Sequence, residues 1–304
     1  VTDAHLRSRS GDGGGSKRDL TYPPLPEALV VPVYDNHTHM EIADGGDDGA
    51  LDYREHLDRA SSVGVRGVVQ VGTDLATSEW SAEIAAREPR VLAAVALHPN
   101  EAPVLDAAGL LDEHLAGIER LAALPRVRAI GETGLDFFRT GDDGRDAQIR
   151  SFEEHIRIAK ENDIALTIHD RDAHDAVVEV LDRVGAPAKT VFHCFSGGPD
   201  LARLCAERGW YMSFAGTVTF KNAQSLRDAL HVAPRHLIMI ETDAPYLTPT
   251  PFRGRPNAPY LIPLTLRSMA ETLGTDPSML AAQIASNTEL VYGAWDAEPV
   301  TVSG

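Results

Sequence analysis

The chain has 304 residues, 43% of them hydrophobic, which is enough to bury a large core and is near the upper size for one compact domain. No apolar stretch reaches the roughly 20 residues that span a bilayer, and the first residues lack the roughly 7–15-residue apolar run of a secretory signal, so a cytoplasmic location is expected. A net charge of −17, from 28 Lys and Arg against 45 Asp and Glu, excludes broad adhesion to nucleic acid but not a strand end held by metals and a few arginines.

Residues 1–22 are polar and glycine-rich around Gly11 to Ser16, with neither helical nor strand period, and are expected to form a disordered arm. From there the pattern alternates. β-branched runs at 30–35, 67–71, 91–97, 127–131, 165–169, 190–193, 210–214 and 237–241 alternate with amphipathic stretches at 51–63, 78–87, 110–121, 146–162, 173–184, 199–208 and 225–231. The strands are continuously apolar, so they belong to a buried parallel sheet, and their number, eight, predicts a closed (β/α)8 TIM barrel over residues 23–295 as a single domain. Helices at 259–273 and 277–293 follow the eighth strand, and residues 296–304 form a loose tail. Cys194 and Cys205 are too few for a disulfide framework and are expected as free thiols.

Five strand ends carry metal-binding side chains: Asp35-Asn36-His37-Thr38-His39, Gly131-Glu132-Thr133-Gly134, Ile168-His169-Asp170, Phe192-His193-Cys194 and Glu241-Thr242-Asp243. A barrel delivers all of them to one rim, and imidazole with carboxylate is the donor set of a hydrolytic divalent-metal site. His37 and His39, two apart on an extended strand, face one ion. Glu132 has two oxygens with which to bridge two ions. His169 and His193 complete a second nitrogen set, with Asp170 behind them to fix a tautomer. Asp243 is the candidate both to bind metal and to take a proton from the attacking water. His98, after the third strand, is placed to contact a substrate oxygen. Arg171, Lys221, Arg253 and Arg255 supply positive charge for phosphate.

These motifs, together with Leu97-His98-Pro99, Gly131 to Phe138, Ile168 to Ala173, Phe192 to Gly197, Met212 to Lys221 and Glu241 to Pro249, resemble those of the TatD family of metal-dependent deoxyribonucleases, in family order over about residues 33–293. The resemblance implies a barrel of the amidohydrolase type and two divalent ions (Zn²⁺, Mn²⁺ or Mg²⁺) on His37, His39, Glu132, His169, His193 and Asp243. It also implies phosphodiester hydrolysis in DNA, as a 3′ to 5′ exonuclease on single strands or 3′ ends. The family often carries a second histidine where this chain has Asn100, and it rarely has a glycine-rich arm. Neither a membrane nor an obligate protein partner is expected. The rival readings are a hydrolase of a small ester, lactone or amide on the same barrel, and a non-catalytic binding protein.

Overall fold

The computed structural model describes residues 5–9, 18–45 and 49–295. Eight parallel strands pair in chain order: β1 (Val33–Thr38), β2 (Val65–Val71), β3 (Val91–Val95), β4 (Val127–Asp136), β5 (Ala165–Arg171), β6 (Thr190–Phe192), β7 (Tyr211–Phe214) and β8 (Ile238–Ile240). The ring closes between β8 and β1 through a single bridge, Thr38 to Ala244, reinforced by His39 N–H to Ala244 O (2.8 Å) and Asp243 N–H to His37 O (2.9 Å). Side chains complete the closure. Asp35 accepts from the Thr242 backbone N–H (2.9 Å) and hydroxyl, and the Asn36 amide donates to Ser213 Oγ (3.0 Å) and to Ile240 O.

Among the described residues ten α-helices accompany the strands: α1 (Tyr53–Ser62), α2 (Leu75–Arg87), α3 (Ala102–Ala107), α4 (Leu111–Ala122), α5 (Arg145–Glu161), α6 (His174–Val184), α7 (Pro199–Arg208), α8 (Gln224–Val232), α9 (Ile262–Leu273) and α10 (Pro277–Tyr292). Asp52 and Asp74 start α1 and α2 with reciprocal capping boxes to Glu55 and Thr77. Two apolar layers result. Val33, Val68, Leu97, Ile130, Ile168 and Phe192 face the helices, whereas Tyr34, Val69, Leu92, Ala129, Ala165, Val191 and Met239 fill the barrel interior. Trp295 plugs the lower end of that interior, stacked on Tyr34 at 4.1 Å and donating to Arg90 O (3.1 Å). No helix among the described residues is long and apolar enough to cross a membrane.

Three expectations change. The fourth strand does not stop at Gly131. It runs on to Asp136, pairing Thr133 to Asp136 with Ile168 to Arg171 across a register shift after Ile130, so Glu132 sits at an irregularity inside a strand rather than at its end. The short helix α3 was not anticipated from a segment opened by Pro103. The arm is not structureless throughout its described parts. Arg7 and Ser8 pair in parallel with Ile42 and Ala43, Tyr22 packs on the core against His56, and Arg7, Arg9 and Arg18 pair with the buried acids Glu41 and Asp44. Residues 1–4, 10–17 and 296–304 lie outside the described residues.

Candidate active site

β1, β4, β5, β6 and the turn after β8 bring the six predicted ligands together at the C-terminal mouth of the barrel. Glu132 is the centre of the cluster. Its Oε1 faces His39 Nε2 (3.5 Å) and His37 Nε2 (4.0 Å), and its Oε2 faces His193 Nε2 (2.9 Å) and His169 Nδ1 (3.1 Å). Asp243 Oδ1 closes the first side, 3.6 Å from His39 Nε2 and 3.9 Å from His37 Nε2. The Nε2 atoms of His37 and His39 are 3.2 Å apart, and the His37 ring lies 3.9 Å from the His193 ring, nearly parallel.

Backbone geometry supports the crowding. Gly131 has φ +157°, and a Cβ there would lie 1.6 Å from Thr167 Oγ1 and 2.7 Å from Thr167 O, so only glycine lets β4 approach β5 where Glu132 turns inward. Asp243 (φ 54°) and Cys194 (φ 42°) adopt left-handed backbone conformations that non-glycine residues rarely take, a feature common at functional sites.

The imidazoles are oriented from behind. His39 Nδ1 donates to Val71 O (3.0 Å), His193 Nδ1 lies 3.2 Å from Glu241 Oε1, and His169 Nε2 lies 3.2 Å from Asp136 Oδ2. In each case one nitrogen is held by a fixed acceptor and the other faces Glu132 or Asp243, as expected of rings set to ligate. Asp170, expected in this role, instead pairs with His174 Nδ1 (2.6 Å) four residues along. Asp136 and Glu241 take its place, and both stand inside strand-end motifs already visible in the sequence.

Burial alone would lower His39, His169 and His193. The Asp243 bond raises His39, the bonds to Asp136 and Glu132 raise His169, and the charges of Glu132 and Glu241 raise His193 well above the usual histidine value. Burial would likewise raise Glu132, but the surrounding histidines hold it well below the usual carboxylate range. His37, buried among the other rings, is pushed well down. Protons thus gather around two carboxylates at the point where a divalent cation would supply the same positive charge and use the same lone pairs. The donor set fits such an ion.

His98 differs from the other rings. Its Nδ1 accepts from Asn100 N–H (3.1 Å), so in the neutral ring Nε2 carries the proton, 3.8 Å from Glu132 Oε2. Burial brings its pKa down to about 3, so the ring is neutral, and it lies in one group with Glu132 and His169. Cys194 is a free thiol pushed well up by burial beside Asp243 and Glu241, which is unsuited to a nucleophile, and Cys205 is also free.

The predicted cations separate. The Arg171 guanidinium lies 3.8 Å over the Phe138 ring, itself 61% exposed, and Arg253 lies 4.4 Å over Phe220. Lys221, next to Phe220 in the chain, is exposed. Arg255 is committed elsewhere, donating to Thr21 O (2.8 Å) and Tyr22 O (2.9 Å). Phe138 was overlooked in the sequence because it reads as one of two adjacent aromatic residues after a strand.

A model of the family described as TatD related DNase matches residues 34–293. The uncharacterized metal-dependent hydrolase TatD of Mycobacterium tuberculosis is 41% identical over 265 residues, covering 86% of this chain and 98% of the relative. A protein of Citrobacter rodentium named 3′-5′ ssDNA/RNA exonuclease TatD is 35% identical, covering 80% and 92%. Among solved structures, the TatD homologue YJJV of Escherichia coli K12 superposes with a TM-score of 0.77 at 26% identity, covering 88% of this chain and all of the other. With eight parallel strands and this mouth, the chain belongs to the TatD-related DNase family of metal-dependent hydrolases acting on ester bonds.

Proposed function

We propose that the protein hydrolyses phosphodiester bonds of single-stranded DNA, working from a 3′ end, with two divalent ions held at the mouth. The observation that carries this reading is the division of Glu132: one oxygen toward His37 and His39, which Asp243 also faces, the other toward His169 and His193. His37, His39, Glu132, His169, His193 and Asp243 would hold such ions, whose Lewis acidity would polarise a phosphoryl oxygen and make a water nucleophilic near neutral pH. Zn²⁺ or Mn²⁺ suits the mixed imidazole and carboxylate donors, and Mg²⁺ suits the carboxylate side.

The chain's own groups do the rest. Asp243, whose side chain is 14% exposed, faces the mouth and takes the proton of the attacking water. The His98 Nε2–H donates to a phosphoryl oxygen. Arg171 and Arg253 hold phosphates, and Phe138 and Phe220 beneath them offer faces on which bases stack, a combination that suits single strands. The exonuclease name of the Citrobacter relative agrees with this reading.

The test is release of nucleotides from 3′-labelled single-stranded DNA by metal-stripped protein after addition of Mg²⁺, Mn²⁺ or Zn²⁺. Glu132→Ala and Asp243→Ala should each abolish release with unchanged far-ultraviolet circular dichroism, and full activity in either would sink the assignment. Phe138→Ala with Arg253→Ala should raise KM for DNA and flatten its salt dependence. A hydrolase of a small ester or amide would show neither change.

A further inference from the structure

The β8–β1 seam has one ladder bridge and is otherwise closed by a few backbone and side-chain hydrogen bonds, and three of the six candidate ligands, His37, His39 and Asp243, hang on it. Residues before the family match cross this seam on the mouth side. Leu6 N–H donates to Glu41 O (3.0 Å) and Arg9 N–H to Ala43 O (2.9 Å), seating the segment beside the chain that leaves His39. Arg9 Nη1 then spans the seam, bonded to Asp44 Oδ2 (3.2 Å) on the β1 side and Pro245 O (2.8 Å) on the β8 side, with its guanidinium 4.9 Å over Tyr246. Arg18 spans it again, paired with both oxygens of Asp44 (3.1 and 2.8 Å) and bonded through Nε to Gly254 O (3.0 Å). Arg7 Nη2 reaches Glu41 Oε1 (2.7 Å), and this fully buried carboxylate lies 3.8 Å from His39 Nδ1 and accepts from the Gln70 amide (2.6 Å).

A segment that merely lay on the surface would have no need to place two arginines with donors on both sides of one seam, nor to answer buried acids, whose charge is costly when unpaired. We infer that residues 5–9 and Arg18 form a strap that laces the β8–β1 seam and acts as a positioning element for His37, His39 and Asp243, through Asp44, Glu41 and Pro245. The inference rests on the metal-centre reading of the mouth but not on the identity of the substrate.

Zn²⁺ binding by the full chain, measured by chelator competition, tests this inference. In the Arg9→Ala, Arg18→Ala double variant one binding step should weaken 10–100-fold, the usual effect of losing a group that orients a ligand, while the other step changes less than about threefold. Arg9→Lys, which keeps a cationic donor at the seam, should recover most of the loss. Arg267→Ala, which frees the neighbouring segment at Glu27 O and Ala28 O, should bind as the wild type does. No change in either step, or equal weakening of both, would overturn the strap. A wild-type chain that binds one ion only would count against the two-ion reading, and the strap would then be judged on that single step.

Discussion

At the residue scale the site is built from side chains whose partners lie behind them. Asp136 is the clearest. Its Oδ2 meets His169 Nε2 and the Asn100 amide (3.1 Å), while its Oδ1 accepts from the backbone N–H of Phe138 (3.1 Å) and Arg139 (2.9 Å). Burial would raise this carboxyl, but the His169 bond and the Arg139 N–H outweigh it and hold the group below the usual carboxylate range. The Asn100 amide thus props Asp136, and its Oδ1 is taken by the Thr140 hydroxyl (3.2 Å). Asp136→Ala should therefore weaken metal binding or activity 10–100-fold at unchanged circular dichroism, and Asn100→Ala should act in the same direction with a smaller effect. Chelator competition on the two variants checks this, and an Asp136→Ala protein with wild-type metal affinity would remove Asp136 from the site.

At the element scale the sequence makes the barrel legible because buried parallel strands are continuous apolar runs, and each of the eight expected runs overlaps an observed strand. What a run of residues cannot display is how far pairing continues beyond its apolar part. β4 and β5 extend through Thr133 to Asp136 and His169 to Arg171, residues that are polar apart from Gly134 and Leu135 and are paired because each strand offers the other a ladder. The site was legible in the same way, since strand ends converge wherever a parallel barrel closes, whereas Arg255 misled because a rim arginine can as readily tie down the segment at Thr21 and Tyr22. The β4–β5 junction yields a prediction of its own. Gly131→Ala places a methyl group against both the side chain and the backbone of Thr167 at a positive φ, and should cost roughly 3 kcal/mol or more. Urea denaturation should show a lower midpoint with the slope unchanged, and adding Thr167→Ala should recover only part, because the contact with Thr167 O remains.

At the scale of the whole molecule the helix layer and the mouth are joined by a buried titratable group. His155 of α5 donates from Nδ1 to Ser151 O (2.6 Å), and its Nε2 accepts from the backbone N–H of Leu97 (3.1 Å), the residue before His98. Only a neutral ring can accept that bond. Burial lowers the His155 pKa to about 4. The unfolded chain, with an ordinary histidine near 6.5, therefore binds a proton between pH 6.5 and 4 that the folded chain does not. The folded-state value is depressed, so the stability this group contributes is present above pH 6.5 and is lost as pH falls toward 4. At pH 5 the loss amounts to about 2 kcal/mol relative to pH 7. Other histidines shift in both directions, so the total pH dependence does not isolate this group, but a difference does. The fall in unfolding free energy from pH 7 to pH 5 should be smaller in His155→Gln than in the wild type by about 2 kcal/mol, whatever the variant's stability at pH 7. Equal pH dependence in the two proteins would mean that His155 is not held neutral, and that the third strand's end is not secured through this ring.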